Sequence, residues 1–179
     1  MASLNIKQRQ YVNHIFDSIT NSKCQVLEFV TGGAGVGKSH LIKAIFQSIT
    51  RHFMKDIGVD LDCIAVLLCA PTGKAAFNIN GVTIHSAFQL PVNQYNGKTA
   101  LSADISNTML NKLMNLKLII IDEISMVGAK MFSLVDSRLK QIFKTDKAFG
   151  DKSVIVFGDF NQLPPVADKF VFQTDITNP

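Results

Sequence analysis

The feature that most constrains the fold of this chain is one glycine-rich stretch, Gly32-Gly33-Ala34-Gly35-Val36-Gly37-Lys38-Ser39. An apolar run from Gln25 to Val30 precedes it and favours a strand, and apolar residues at helical spacing follow it to about Met54. Strand, G-x-x-x-x-G-K-S turn and helix form the P-loop pattern, in which backbone N–H groups and a helix N-terminus face a phosphate. A glycine-rich turn without a ligand is the alternative, but it does not account for the whole combination.

The last two residues of this stretch predict a nucleotide site with a metal ion. Lys38 brings a cation to the outer phosphates, and the hydroxyl of Ser39 is a ligand for Mg²⁺. We therefore predict that Gly33 to Ser39 bind the phosphates of a nucleotide.

Composition sets broad limits on the class of protein. The chain has 179 residues, 47% hydrophobic and 18% charged, which favours one folded domain. A net charge of +4 is compatible with a polyanionic partner but does not demand one. Cys24, Cys63 and Cys69 form no C-x-x-C pair, which suits a reducing, intracellular setting. The longest apolar run, Cys63 to Ala70, is too short to cross a bilayer, so no membrane partner is predicted.

Strand and helix patterns alternate along the chain, which predicts an α/β fold with a mostly parallel central sheet flanked by helices. Asp104 is the predicted N-cap of its helix. The predicted helices run from Asn5 to about Thr20, from Lys38 to about Met54, from near Gly73, from Asp104 to about Asn115 and from about Gly128 to Phe143. The predicted strands run from Gln25 to Val30, from Ile64 to Cys69, from Leu118 to Ile121 and from Val154 to Phe157.

A polar cluster follows each of the four predicted strands directly. The clusters are Lys38-Ser39 after the glycine-rich turn, Thr72-Gly73-Lys74, Asp122-Glu123, and Asp159 to Gln162. Because the carboxyl ends of parallel strands lie at one edge of a sheet, the fold brings all four clusters together, where ligands of open α/β sheets bind.

The acidic pair and the glutamine predict hydrolysis of a nucleoside triphosphate. Asp122 fits a Walker B position and holds Mg²⁺ opposite Ser39, and Glu123 orients or deprotonates the attacking water. The alternative is an acidic pair that only complements a helix dipole. Gln162 can hydrogen-bond both the γ-phosphate and a water, or it is a surface residue in a proline-rich turn. Gln8 can pair with N6 and N7 of adenine, or it lies on the polar face of the first helix.

Taken together, these motifs resemble the first RecA-like lobe of a superfamily 1B DNA helicase of the PIF (petite integration frequency) type, related to RecD. The matching segments are Leu4 to Gln8 (Q motif), Gly32 to Ser39 (motif I), Ala70 to Ala76 (motif Ia), Thr83 to Ser86 (T-I-H-S), Ile121 to Met126 (motif II) and Gly158 to Val166 (motif III). The helix with Phe132, Val135, Asp136 and Leu139 is similar to the family's signature region.

The resemblance implies a role for each matched residue. Gln8 reads adenine, Lys38 and Ser39 hold phosphate and Mg²⁺, and Asp122, Glu123 and Gln162 are the metal, water and γ-phosphate residues. The positions implied along a single-stranded DNA track are Thr72, Gly73, Thr83 and His85.

The roles that the resemblance implies for His85 and for the stretch from Leu90 to Ala103 have structural alternatives. His85 lies beside apolar Ile84 and Phe88 and is as readily a satisfied structural histidine. The stretch from Leu90 to Ala103 lies where the family has a strand-separating wedge, but a plain solvated loop fits equally well.

The resemblance covers one motor lobe only, because motifs IV, V and VI belong to a second RecA-like lobe that this chain lacks. We therefore expect a fragment that binds ATP and single-stranded DNA but needs the second lobe to hydrolyse ATP and to unwind DNA 5′ to 3′. A nucleotide-dependent switch and a P-loop kinase are the alternatives. The family implies the nucleus, or the mitochondrion, and the sequence does not choose among telomere maintenance, replication, repair, recombination and transposition.

Overall fold

A five-stranded parallel sheet forms the centre of the chain, in the spatial order β1-β5-β4-β2-β3. The computed structural model describes residues 4–21, 24–55, 64–91 and 100–173. The strands are β1 (Leu27–Thr31), β2 (Val66–Ala70), β3 (Val82–Thr83), β4 (Leu118–Ile121) and β5 (Ser153–Gly158).

Helices cover both faces of this sheet. Short 3₁₀ turns at Ile124–Met126 and Ala148–Asp151 follow β4 and precede β5. Within the described residues the helices are α1 (Ile6–Asn21), α2 (Lys38–Phe53), α3 (Gly73–Asn78), α4 (Ile84–Phe88), α5 (Ala103–Leu113) and α6 (Ala129–Phe143).

The sheet separates two apolar cores, and β4 shows why. Every residue of β4 is buried, because a strand inside a parallel sheet is covered on both faces. Leu118 and Ile120 belong to the core beneath α1 and α2, whereas Ile119 and Ile121 belong to the core beneath α4, α5 and α6. Alternate side chains of the strand point to opposite faces, so one continuous apolar run supplies both cores.

Residues 168–170, in a part of the chain with no clear helix or strand pattern in the sequence, pack against the start of α6. Phe170 forms an isolated antiparallel bridge with Gly128, and the amide of Ala129 donates to the carbonyl of Lys169 at 2.8 Å. A carboxylate oxygen of Asp168 accepts from the amide of Lys130 at 3.0 Å. Asp168 thereby caps a helix whose own N-cap residue, a glycine, has no side chain to do so.

The predicted fold class is confirmed, and the long predicted elements agree with the observed ones to within a few residues. The structure adds β3 and α4, which are two and five residues long and are not among the predicted elements. The predicted N-cap at Asp104 is wrong. The hydroxyl of Ser102 accepts from the amide of Ile105, and Asp104 lies inside the first turn, where its charge complements the helix dipole.

Most of the stretch from Leu90 to Ala103 lies outside the described residues, because these omit 92–99. Its role as a wedge stays a prediction. Among the described helices, none is long and apolar enough to cross a membrane.

A glycine pair tests how tightly β2 is packed. A Cβ built on Gly81 lies 2.5 Å from the carbonyl oxygen of Leu68, whereas one built on Gly73 meets nothing within 4 Å. We expect Gly81→Ala to lower the free energy of unfolding by about 1–3 kcal/mol, because the backbone of β2 cannot move aside. Gly73→Ala is the control and should stay within about 0.5 kcal/mol of the parent in urea unfolding. Equal stability of the two variants would contradict the close approach.

Candidate active site

The glycine-rich turn between β1 and α2 has the backbone geometry of an anion site. Gly35 and Gly37 have φ of +75° and +91°, a region that side chains disfavour, and Gly37 is the N-cap residue of α2. The turn is joined to β5 by a hydrogen bond of 3.3 Å from the amide of Gly32 to the carbonyl of Gly158. The first turn of α2 carries no acidic residue, so its N-terminal dipole is left for a ligand.

Lys38 closes this turn on itself. Its Nζ donates to the carbonyl oxygens of Gly32 at 2.6 Å and Gly33 at 3.0 Å. An ammonium group has three N–H donors, so one remains after these two bonds. The geometry therefore fits a cation that is positioned by the turn and still has a donor for a phosphate oxygen.

Gln8 lies against the glycine-rich turn and has a structural task there. Its Oε1 accepts from the amide of Asn5 at 3.1 Å while Oδ1 of Asn5 accepts from the amide of Gln8 at 2.9 Å, which is a reciprocal capping box. Its Nε2 donates to the carbonyl of Val36 at 3.2 Å. The amide thus joins α1 to the turn, and an oxygen lone pair and one N–H remain for a further partner.

Asp122 and Glu123 lie at the end of β4 in an unfavourable arrangement. Asp122 is 3% exposed, and burial raises the pKa of its carboxyl group. A hydrogen bond of 3.0 Å from the amide of Glu123 and the charge of Lys38 act in the opposite direction on that pKa, while the charge of Glu123 adds to the rise. Glu123 itself has φ of +54°, a left-handed conformation that costs about 1–2 kcal/mol for a residue with a side chain.

The segment after β5 is organised by Asp159. Its carboxylate accepts from the amide of Asn161 at 3.0 Å and from Nε2 of Gln162 at 3.3 Å, and these bonds lower the pKa of Asp159. The predictions assigned a role to Gln162 but not to Asp159, which positions it. The G-D-F-x-Q pattern contains a signal for this role, because an Asp carboxylate commonly accepts a hydrogen bond from the backbone amide two residues later.

One cleft of about 240 Å³ brings several predicted residues together. Ser125 is fully buried in its wall, and its hydroxyl has no hydrogen-bond partner among the described residues. The cleft therefore keeps a polar group unsatisfied in the protein itself. It is lined by Thr72, Lys74, Ala75, Asn78, Glu123, Ser125, Met126, Gln162 and Leu163.

The predicted DNA-track residues divide between two places. The hydroxyl of Thr72 lies in this cleft and accepts from the amide of Ala75, as the N-cap of α3, whose first residue is Gly73. The hydroxyl of Thr83 caps α4 by accepting from the amide of Ser86. His85 does not line the cleft; it lines a separate cavity beside α4.

Comparison with known proteins gives the family. The PIF1-like helicase family matches residues 3–177. The chain belongs to the PIF1-like helicase family. Among similar relatives, the ATP-dependent DNA helicase Pif1 of Psychrobacter is 34% identical over 82% of this chain and 22% of its own length. The ATP-dependent DNA helicase RRM3 of Saccharomyces cerevisiae is 31% identical over 93% of this chain and 21% of its own.

Solved structures of PIF1-like helicases share the fold. The Pif1 helicase from Bacteroides in complex with ADP-AlF3 and ssDNA has a TM-score of 0.69 and 32% identity, covering 93% of this chain and 34% of that one. The Pif1 helicase from Candida albicans has a TM-score of 0.70 and 28% identity, covering 98% of this chain and 37% of that one. The chain thus spans about a fifth of the length of the curated relatives above and about a third of these solved chains.

The part of α6 that is similar to the family's signature region stabilises an unusual turn. Phe149 and Gly150 adopt φ of +50° and +65° just before β5. Oδ1 of Asp136 accepts from the amide of Phe149 at 2.6 Å, and the rings of Phe132 and Phe149 are in contact, with centroids 5.2 Å apart. Two signature residues of α6 therefore stabilise the unusual turn from which the strand of motif III begins.

The residues of this PIF1-like site fit a nucleotide with Mg²⁺. Three features of the turn suit phosphate oxygens: the positive φ of Gly35 and Gly37, the remaining N–H donor of Lys38, and an N-terminus of α2 whose first turn has no acidic residue. Mg²⁺ takes one or two protein oxygens and completes its shell with phosphate and water, so one hydroxyl and one carboxylate are a sufficient set of protein ligands. Asp122 and Ser39 are the residues that would hold it.

The buried carboxylate gives a prediction about stability. Asp122→Asn removes a charge that burial disfavours and keeps the Oδ1 acceptor for the amide of Glu123. We expect the melting temperature at pH 7.5, in EDTA and without nucleotide, to rise by about 2–4 °C, as for a gain of about 1 kcal/mol. Asp146→Asn removes an exposed charge and is the control. A fall in melting temperature with Asp122→Asn alone would contradict the assigned cost.

Proposed function

We propose that this chain is the first RecA-like motor lobe of an ATP-dependent 5′-to-3′ DNA helicase. In this proposal it binds ATP with Mg²⁺ and single-stranded DNA, and a second RecA-like lobe completes hydrolysis. The observation that carries the proposal is the shared cleft: the predicted water residue Glu123, the predicted γ-phosphate residue Gln162 and the predicted DNA residue Thr72 line one space. In a nucleotide-driven motor the γ-phosphate and the DNA must act on the same part of the protein, so the residues that contact them must lie close together.

On the nucleotide side, different residues contact the phosphates and the adenine. The turn from Gly33 to Ser39 surrounds the phosphates, Lys38 gives its remaining N–H to the outer phosphates, and Gln8 uses its free donor and acceptor on adenine. Ser39 and Asp122 would hold Mg²⁺, which would supply neutralisation of the phosphate charge. The Bacteroides Pif1 helicase in complex with ADP-AlF3 supports nucleotide binding by this lobe.

For hydrolysis, we propose that Glu123 orients the attacking water and that Gln162 reports the state of the γ-phosphate. Glu123, with its left-handed backbone at the end of β4, lines the cleft. The hydrogen bond from Gln162 to Asp159 positions the side-chain amide of Gln162, which lines the same cleft. Catalysis of this kind consists of positioning and electrostatics rather than covalent chemistry.

On the DNA side, Thr72, Gly73, Thr83 and His85 form the proposed single-strand track. Both threonine oxygens accept from helix N-terminal amides. The hydroxyl proton of Thr72 has no acceptor among the described residues, which leaves it for a phosphate, whereas that of Thr83 donates to Ser86 at 2.9 Å. Contacts of this kind ignore base sequence. The Bacteroides Pif1 helicase in complex with ssDNA supports single-stranded DNA as the partner.

The second lobe is proposed because the matched relatives are several times longer than this chain. A second lobe would supply an arginine to the nucleotide, a contribution of about 10³–10⁵ in rate. We propose on family resemblance alone that the protein works in the nucleus, with the mitochondrion as the alternative.

The proposal is tested by measuring ATP hydrolysis by this chain with and without a single-stranded oligonucleotide. We expect turnover to be negligible although ATP binds. Strong DNA-stimulated turnover would mean that this chain, or a second copy, supplies the arginine, and would contradict the need for another lobe. In a longer protein that contains both lobes, turnover that ignores single strands would favour a nucleotide switch.

Lys38→Ala removes the cation of the turn. We expect ATP affinity to fall by about tenfold or more with native circular dichroism, because a charge-assisted contact to phosphate is lost. Isothermal titration measures the affinity, and Lys112→Ala, which removes an exposed lysine of α5, is the control. Unchanged ATP affinity in Lys38→Ala would refute the nucleotide site.

Glu123→Gln keeps the size of the side chain and removes its basicity. In a protein that contains both lobes, we expect ATP to bind normally and hydrolysis to fall by about 10²–10⁴-fold. Single-turnover kinetics measures the effect, with Asp146→Asn as the control for loss of one negative charge. Turnover that survives in Glu123→Gln would show that another group orients the water.

A further inference from the structure

Arg138 on α6 is a buried cation with few partners. It is 5% exposed. Its Nη1 donates to Oε1 of Gln141 at 3.2 Å, and its Nη2 donates to the carbonyl of Gln89 at 3.4 Å. Its Nε, also buried, has no hydrogen-bond partner among the described residues. A guanidinium has five N–H donors, so most of its capacity is unused.

No carboxylate balances this charge in the described part of the chain, where the ion pairs involve other residues. Burying a charge without a counter-charge is costly, and burial lowers the pKa of Arg138, although an arginine stays protonated. Within the described residues, Arg138 therefore has charge and N–H donors left for an anionic ligand.

The space beside Arg138 has the lining that an oxyanion needs. An open cavity of about 470 Å³ has Arg138, His85, Ser86, Gln89 and Ser102 as the polar half of its lining, and the other half is apolar. The hydroxyl of Ser86 accepts from that of Thr83 at 2.9 Å, and the hydroxyl of Ser102 accepts from the amide of Ile105 at 3.4 Å. Each serine therefore keeps its own proton as a donor.

The geometry points to a backbone phosphate of single-stranded DNA as the occupant of this cavity, with Arg138 as the charged contact; this inference rests on the proposed function. The T-I-H-S segment places His85 and Ser86 in the cavity wall, so the phosphate lies on the same track as Thr83. A planar guanidinium, held by Gln141 and Gln89, presents its remaining N–H groups as a fork that matches phosphate oxygens.

The salt dependence of DNA binding tests this assignment with the chain as it exists. The probe is a dye-labelled oligothymidylate, and fluorescence anisotropy gives the affinity between about 20 and 200 mM salt. Loss of one phosphate contact reduces the slope of log K against log[salt] by about 0.7 for single strands. We expect Arg138→Gln to show that reduction and about tenfold weaker binding, whereas Arg138→Lys keeps the slope. Arg51→Gln, which removes an exposed charge at the far end of α2, should leave the slope unchanged.

Particular outcomes would overturn the inference. A slope unchanged in Arg138→Gln, in a variant with native circular dichroism, would mean that Arg138 only supports the fold. If Arg138→Gln does not fold, Arg138→Lys is compared with the parent on an oligothymidylate whose phosphates are replaced by neutral methylphosphonates. The difference in affinity between the parent and the Lys variant should vanish on that neutral probe. A difference that persists would reject the site. Poly-glutamate that competes with the oligonucleotide in the parent but not in Arg138→Lys would indicate a carboxylate ligand instead. A parent chain that binds no oligonucleotide at about 20 mM salt would contradict the proposed function itself.

Discussion

The site depends on the parallel pairing of β5 between β1 and β4. The register sets Thr31 beside Gly158 and Ile121 beside Val156, so the segments after these three strands leave the sheet at one edge. The glycine-rich turn, the Asp122-Glu123 pair and the Asp159 segment are therefore neighbours because of main-chain hydrogen bonds, before any side chain contributes. The absence of a side chain at Gly158 matters too, because a Cβ there would lie 2.8 Å from Cγ2 of Ile124. A slip of one residue would reverse every side chain of β5 and separate the groups.

Three unfavourable features lie together at this edge. Glu123 adopts a left-handed backbone, Asp122 carries a buried carboxyl, and Ser125 has a buried hydroxyl without a partner among the described residues. Each feature costs stability, and Glu123 and Ser125 line the cleft of the proposed site. The buried strands β4 and β5 tolerate these costs because their apolar side chains enter both cores. Burial in the cores thus offsets the strain and desolvation at the sheet edge.

The sequence predicted the elements whose signal lies within their own residues. The apolar run of β4 and the glycine-rich turn are of this kind, because each is specified locally. By contrast, β3 exists because Val82 and Thr83 pair with Cys69 and Ala70 of β2. A pattern of two residues cannot predict that pairing. The cap at Ser102 was missed because Asp and Ser are both good N-caps, and the choice between them depends on where the chain enters the helix. The contacts of Arg138 with Gln89 and Gln141 likewise became visible only with the fold, whereas the role of Asp159 had a local signal that the predictions did not use.

Several motif residues carry two tasks, which explains why a motif alone does not separate structure from ligand binding. Gln8 completes the capping box of α1 by accepting from the amide of Asn5, and it holds the glycine-rich turn. Lys38 binds two carbonyls of that turn, and Thr72 caps α3. Each of these residues has donor or acceptor capacity beyond its structural bonds, and that surplus distinguishes a ligand-facing group from a purely structural one. Arg138 lies outside the matched motifs, and it has more unused hydrogen-bond donors than Gln8, Lys38 or Thr72. The same helix, α6, also holds the turn before β5 through Asp136. One helix thereby contacts both the turn that precedes β5, the strand that leads to the proposed γ-phosphate residue, and the cavity proposed for DNA.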